Sequence, residues 1–310
     1  VRIVVTGCKG QLARSLLEQA RGLPGTEVIL IGRPQLDLTE PPTILAAIEP
    51  HRPDLVVSAA AFTAVDQAEG EPETAFAVNA FGAEAVAGAA ASLGAPVLHV
   101  STDYVFDGSK HGSYAEDDMP APFSVYGASK LAGELAVAEA NPRHVILRTG
   151  WVYSPFGKNF IKTILRLAGE REEIAVVADQ WGNPTSALDL ADAILGISAQ
   201  LTRSGRDFVF GLYHLAGAGT ASRADLARHA LSASRAEGGP WAHVRDVATS
   251  AFPTPARRPT NSSLSSAKFT AAFRWSMPPW QYSVECTVRR LVQSTSVKRS
   301  NHRVQCGGFG

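Results

Sequence analysis

One feature constrains this chain more than any other: an alternation of two kinds of segment. Short β-branched apolar runs, at Ile3–Val5, Val28–Ile31, Leu55–Val57, Val97–Val100 and Val145–Leu147, are separated by longer Ala-rich stretches with helical spacing. Strands that are apolar at nearly every position are buried on both faces, and sheets buried on both faces are parallel. Parallel strands joined through helices wind into a doubly wound α/β sheet with right-handed crossovers, the Rossmann-like arrangement. The helix signals agree. Pro72 stands in a first turn ahead of the Ala-rich Glu73–Ser92, Ser124 can cap Tyr126–Ala140, and Asn141-Pro142 ends that helix.

After about residue 150 the pattern is less regular. Asn159–Ala168, Leu188–Leu201 and Ser222–Ala233 read as helices, and Ile174–Val177 and Gly211–Leu215 as short strands. Residues 236–283 are rich in Pro, Arg, Ser and Trp and read as loop. The polar, Gly-rich end, 294–310, is expected to be disordered. The expected division is a dinucleotide-binding domain over 1–150 and a smaller α/β lobe over 151–293, with some exchange of segments between them.

Charge narrows the function classes. With 29 basic and 29 acidic side chains the formal net charge is zero, so there is no excess of cations to neutralise a nucleic acid or an anionic membrane surface. With 45% apolar residues the chain can bury a large core, which disfavours a chain disordered throughout. No apolar run approaches the roughly 18 residues of a membrane span, and the Val1-Arg2-Ile3 start lacks a signal-peptide pattern. The three cysteines, Cys8, Cys286 and Cys306, form no disulfide framework, and neither cysteines nor histidines show metal-ligand spacing. No metal site and a cytoplasmic location are expected.

The first strand runs into Thr6-Gly7-Cys8-Lys9-Gly10-Gln11-Leu12-Ala13. Gly7 can make the tight turn, Gly10 lets a pyrophosphate approach the backbone, and the following helix start offers N–H donors and a positive dipole end. The pattern is GxxGxxA rather than GxGxxG, so taken alone it is also compatible with a structural βα turn. The second strand ends in Gly32-Arg33 with no acid, which suits the 2′-phosphate of NADP better than the bare ribose of NAD; a solvated loop arginine would read the same. Asp37-Leu38 can sit beside the adenine, and the small residues Ala59–Ala61 let a cofactor lie against the third strand.

Tyr126 and Lys130 are four residues apart and so share a helix face. An ammonium close to a phenol lowers its pKa and makes it a usable proton donor. The pair lies in the helix after the fourth strand, behind Ser101-Thr102-Asp103 at that strand's carboxyl end, where ligands bind in open α/β sheets. A solvated helix face is the competing reading of a YxxxK pair, and strand-end capping that of Ser101 and Thr102.

The Gly7/Gly10 turn with Thr102, Tyr126 and Lys130 resembles the extended short-chain dehydrogenase/reductase superfamily. Longer strings narrow the match. They are Gly10-Gln11-Leu12, Ala59–Asp66, Ser101–Gly108, Arg148–Tyr153, Asp179–Thr185 and Arg258–Ser262. Together, over roughly residues 2–292, they resemble the dTDP-4-dehydrorhamnose reductase family.

The resemblance implies an NADPH-dependent oxidoreductase, with NADH open. It would reduce the 4-keto group of dTDP-4-dehydro-L-rhamnose to dTDP-L-rhamnose, in cell-surface polysaccharide synthesis. It implies Tyr126 as proton donor, Lys130 on the nicotinamide ribose and Thr102 tuning the tyrosine. Thr102, Asp103, Trp151 and Arg258 would face the sugar nucleotide. Gly10, Gln11 and Leu12 would touch the pyrophosphate, and Asp37, Leu38, Ala61, Phe62 and Thr63 the rest of the cofactor. Magnesium and a homodimer stay open. A 4,6-dehydratase would need a second carboxylate after Asp103, where this chain has Tyr104. Another nucleotide 4-keto-6-deoxysugar reductase is one alternative; the other is a non-catalytic NADP-binding regulatory subunit like that of methionine adenosyltransferase.

Overall fold

The computed structural model describes residues 1–202 and 210–305, with side chains through residue 294. The strands β1 (Arg2–Thr6), β2 (Glu27–Ile31), β3 (Leu55–Ser58), β4 (Val97–Thr102) and β5 (His144–Thr149) arise from the expected apolar runs. Short strands β6 (Val152–Tyr153), β7 (Glu173–Val177), β8 (Trp181–Gly182) and β9 (Thr185–Ser186) follow. The chain then makes β10 (Gly211–His214), β11 (Ala221–Ser222) and β12 (His243–Val247). The central sheet has the order β10-β5-β4-β3-β1-β2, and every pairing in it is parallel. Its direction of winding reverses between β1 and β3, so a crevice opens at their carboxyl ends, just after Thr6 and Ser58.

The helices are α1 (Gln11–Ala20), α2 (Ile44–Ile48), α3 (Val65–Gly70), α4 (Pro72–Phe76), α5 (Gly82–Ser92), α6 (Val125–Ala140) and α7 (Phe160–Ala168). They continue with α8 (Ala187–Leu201), α9 (Arg223–Ala236), α10 (Ala267–Phe273) and α11 (Trp280–Gln305). One face of the sheet is covered by α1, α8 and α10, around Ile3, Val5, Leu16, Ile194 and Phe269. The other carries Val4, Ile44, Val56, Val86 and Val137 from the sheet, α2, α5 and α6. Each such fully buried Val, Leu or Ile contributes roughly 1.5–3 kcal/mol. A separate core, with Ile161, Ile174, Leu231 and Val284, joins α7, β7, α9, β12 and α11 into the smaller lobe.

Caps set several helix starts. Ser124 accepts from Gly127 N, Asn159 from Lys162 N, and Ser222 forms a reciprocal capping box with Asp225. The run Pro72–Ser92 is continuous but carries a π-helical turn at Ala77–Phe81. Its 21 residues are long and apolar enough to cross a membrane by length and composition, yet over half of it is buried here. It packs on α6 and α2.

Two expectations need correction. Residues 236–283 are not all loop, for they hold β12 and α10. β12 pairs in parallel with β7 over its whole length, and its exposed Arg245 bonds Glu173 at 2.7 Å; these edge charges mask its strand pattern. The end of the chain is helical backbone through Gln305 rather than disordered from 294, since nothing between Ser294 and Arg303 is Gly or Pro; residues 306–310 lie outside the described ones. Segments after residue 150 complete the first sheet: β10 is its edge strand and α8 packs on α1.

Candidate active site

At the reversal of the sheet lies a cavity of about 910 Å³ that extends to the smaller lobe. Its floor is the β1–α1 turn. Gly7 adopts φ +96°, a region closed to most side chains, and its N–H donates to Ile31 O at 2.6 Å. Gly10 is the N-cap of α1, and a Cβ built there meets nothing within 4 Å, so only hydrogen stands between its backbone and the cavity. No side chain caps α1 and no acid occupies its first turn. The N–H groups at this helix start therefore keep their donors and their positive end for an anion. These features fit a dinucleotide pyrophosphate. Cys8 and Lys9 stand in the same turn and line the cavity. The Gln11 side chain turns across the cavity mouth: its amide donates to Val152 O at 3.3 Å and its oxygen accepts from Asn159 Nδ2 at 2.9 Å. Arg33 lines the cavity at the end of β2, where Asp37 pairs with it at 3.1 Å.

The wall beside the turn belongs to β4 and α6. Four helical residues rise about 6 Å and two strand residues about 6.6 Å, so positions 130 and 134 of the helix face positions 99 and 101 of the strand. Lys130 Nζ donates to Val100 O at 2.7 Å and lies 3.1 Å from His99 Nε2; His99 Nδ1 is 3.1 Å from Ser58 Oγ. Glu134 accepts from Ser101 Oγ at 2.5 Å and from Arg148 Nε at 2.9 Å. This buried ion pair ties β5 to α6 and satisfies charges that would otherwise be costly. Burial lowers the Lys130 pKa to about 8, against the opposing pull of Glu134. Burial pushes the Tyr126 phenol well above its usual value, and the Thr102 hydroxyl draws it back. Contrary to expectation, the Lys130 ammonium, bonded to Val100 O on the strand, is not among the groups that pull the Tyr126 phenol down.

A second clamp holds the loop after β3. Asn79, in the π-helical turn, accepts from Phe62 N at 2.8 Å and donates to Phe62 O at 3.1 Å and to Ser129 Oγ at 3.0 Å.

The far wall is built from Asp103, Tyr104, Gly150, Trp151 and Arg223. Asp103 is buried, and burial raises its pKa to about 6 against the opposing pull of Ser262, Arg223 and Thr102. Its Oδ1 accepts from Thr102 Oγ1 at 3.1 Å, whereas Oδ2 and Thr149 Oγ1 have no partner among the described residues. A Cβ at Gly150 would stand 2.5 Å from that carboxylate, so only glycine fits there. Trp151 takes φ +51°, a strained state for a bulky residue. The Arg223 guanidinium lies 3.5 Å from the centre of the Trp151 ring.

Of the residues expected from sequence, Gly7, Gly10, Gln11, Leu12, Arg33, Leu38, Ala61 and Thr63 line the cavity, as do Thr102, Asp103, Tyr126, Lys130 and Trp151. Asp37, Phe62 and Arg258 do not. Asp37 is engaged by Arg33 and Thr39, and Phe62 contributes its backbone to the Asn79 clamp. Arg258 is closed by a bidentate pair with Asp66, at 2.7 Å on both arms. Sequence reasoning missed Arg223, His99 and the Glu134–Arg148 pair. The capping serine ahead of Arg223 is readable from sequence; the delivery of Arg223 to a wall built by Asp103, Tyr104, Gly150 and Trp151 is not. Among the described residues no group of three His, Cys, Asp or Glu side chains is placed to hold a metal ion.

Comparison with known proteins places this geometry. The family model described as RmlD substrate binding domain matches residues 1–293. A dTDP-4-dehydrorhamnose reductase of Sinorhizobium fredii is 49% identical over 292 residues, 94% of this chain and 97% of that protein. One from Escherichia coli is 46% identical over 84% of this chain and 87% of its own length. Among solved structures, a dTDP-4-dehydrorhamnose reductase from Bacillus anthracis in complex with NADP is similar at a TM-score of 0.85 and 35% identity. That match covers 92% of this chain and 98% of the other. One from Clostridium acetobutylicum also superposes at 0.85, with 34% identity over 94% of this chain and 99% of that one.

Proposed function

The chain belongs to the RmlD substrate binding domain family, and from that premise we propose how its residues reduce the 4-keto group of dTDP-4-dehydro-L-rhamnose with NADPH. One observation carries the assignment of roles. Thr102, Tyr126 and Lys130, from a strand end and a helix, meet in the wall of the cavity whose floor is the Gly7–Gly10 turn.

The turn and the uncapped start of α1 hold the pyrophosphate, and Arg33 meets the 2′-phosphate. Lys130 holds the nicotinamide ribose. When bound, the reduced nicotinamide supplies the hydride for the sugar's C4. Tyr126 gives its proton to the ketone oxygen; because burial holds the phenol up, it stays protonated through neutral pH and is ready to donate. Thr102, whose hydroxyl draws the phenol's pKa down against burial, aims that proton. Trp151 and Tyr104 wall the sugar ring, with Asp103 beside it.

Arg258 was the sequence's candidate for the substrate diphosphate, but Asp66 occupies both arms of its fork. Arg223 is the guanidinium on the cavity's far wall, away from Arg33 at the cofactor end, so it takes that role in this reading. Asp103 is the one carboxylate among the described lining residues, which disfavours an elimination that needs an acid–base pair.

The test mixes purified protein with dTDP-4-dehydro-L-rhamnose and NADPH and follows the nicotinamide absorbance. Oxidation with formation of dTDP-L-rhamnose is expected; a flat trace with active substrate overturns the reading. A panel of UDP- and GDP-linked 4-keto sugars distinguishes the other reductases.

A further inference from the structure

His99 sits in the middle of β4 with 1% of its surface exposed, an unusual place for an imidazole unless both nitrogens have work. Both do. Nε2 faces the Lys130 ammonium at 3.1 Å and Nδ1 faces Ser58 Oγ at 3.1 Å. An ammonium only donates, so Nε2 must accept and carries no proton. The ring proton is then on Nδ1, where the Ser58 hydroxyl oxygen receives it. Burial and the Lys130 charge both push the imidazole's pKa well below its usual value, which keeps the ring neutral.

We propose that His99 is a positioning residue for the reduction: as a neutral imidazole protonated on Nδ1, it takes one N–H of Lys130 through Nε2 and thereby aims that ammonium at the cofactor ribose.

The geometry leaves little freedom. Val100 O takes a second N–H of Lys130 at 2.7 Å. In a tetrahedral ammonium the third then points away from the strand, towards the cavity that Lys130 lines. Ser58 lies directly opposite His99 in the β3–β4 register, so the tautomer is set by a neighbour that the sheet itself places. The other charged or titratable groups around the pair are Tyr126 and Glu134 on α6 and Arg148 on β5, the last reached through Glu134. On the other side α5 presents Val86 and Ala87 and β5 presents Ile146, all apolar. Among the described residues, His99 is the one side chain that offers Lys130 Nζ a neutral acceptor within hydrogen-bond distance. The inference rests on the proposed function for the place of Lys130 at the cofactor ribose and for its kinetic readout.

Two variants and one spectrum test it. His99→Phe keeps a ring of similar size without an acceptor; His99→Gln restores an acceptor near the Nε2 position and a donor towards Ser58. His99→Phe is expected to weaken NADPH binding, measured directly by titration, by about tenfold, the usual worth of a hydrogen bond to a charged group. It should also move the alkaline limb of kcat/KM to lower pH, because an ammonium without its acceptor loses its proton more easily. His99→Gln should recover most of both. Nitrogen-15 NMR of histidine-labelled native protein should show His99 with Nδ1 protonated and Nε2 bare throughout neutral pH. A proton on Nε2, or NADPH affinity unchanged in His99→Phe, overturns the proposal. So does a Gln variant as impaired as a folded Phe variant. Binding and NMR read out even if no turnover is found, so failure of the reductase reading and failure of this inference are told apart.

Discussion

In the proposed reaction Tyr126 carries the proton, and its surroundings say how. A phenol raised by burial is a weak acid in the resting protein, so its proton moves when negative charge develops on the ketone oxygen held against it. Tyr126→Phe keeps the packing ring, including its edge contact with Tyr104 at 5.9 Å, and removes the proton. Turnover is expected to fall about 10²–10⁴-fold with NADPH affinity kept, measured by steady-state rates and by direct titration. Asp103 gives the pH dependence at this scale. Its folded pKa of about 6 lies above the unfolded value of 3.8, so the folded state binds the extra proton between them. The ionised side chain thus costs stability above about pH 6, and the cost is gone below 3.8. Asp103→Asn should raise the melting temperature at pH 8 and lose that advantage by pH 4. Calorimetry at the two pH values decides it; an equal shift at both assigns the effect elsewhere.

Helix α6 shows what an element contributes. It presents Tyr126 and Lys130 to the cavity and Glu134 to the buried arginine, and its closeness to the π-helical turn depends on glycine. A Cβ at Gly133 would stand 2.0 Å from Asn79 O, a backbone atom that cannot step aside. Gly133→Ala has ordinary helix geometry and would gain roughly 1 kcal/mol from propensity alone. The clash reverses the sign, with overpacking costing about 1–3 kcal/mol, and it displaces the Asn79 clamp on Phe62. Gly88 in α5 is the contrast: nothing lies within 4 Å of its Cβ position, so Gly88→Ala should stabilise by about 0.5–1 kcal/mol. Urea unfolding of the pair checks both signs. At this scale the sequence is informative where periodicity and caps agree. Ser124, Asn159 and Ser222 are at the caps that their residue types suggest. β12 is hidden by edge charges, and α10 spans only seven residues, too few for a helical period to stand out.

For the whole molecule, the cavity is a joint product of both lobes, with its floor in the first and Arg223 on the second. The floor was legible because a phosphate turn is a local motif, readable from ten consecutive residues. Arg223 was not, because it reaches the site by the packing of α9 beside Trp151, which no local pattern encodes. The same joint construction makes ligand binding a stability term. NADPH at about 100 times its Kd should stabilise the protein by about 2.7 kcal/mol, and the melting temperature should climb with NADPH concentration. A melting temperature indifferent to NADPH would contradict binding to the folded state.

Cys8 gives the cavity a use beyond its chemistry. The thiol is exposed, and it belongs to the very turn that a pyrophosphate would cover. Cys286, exposed on α11, lies outside the lining. Alkylation at position 8, followed by peptide mapping against position 286 as an internal clock, turns the enzyme into its own occupancy gauge. Bound cofactor becomes a protected thiol, countable one molecule at a time without any turnover.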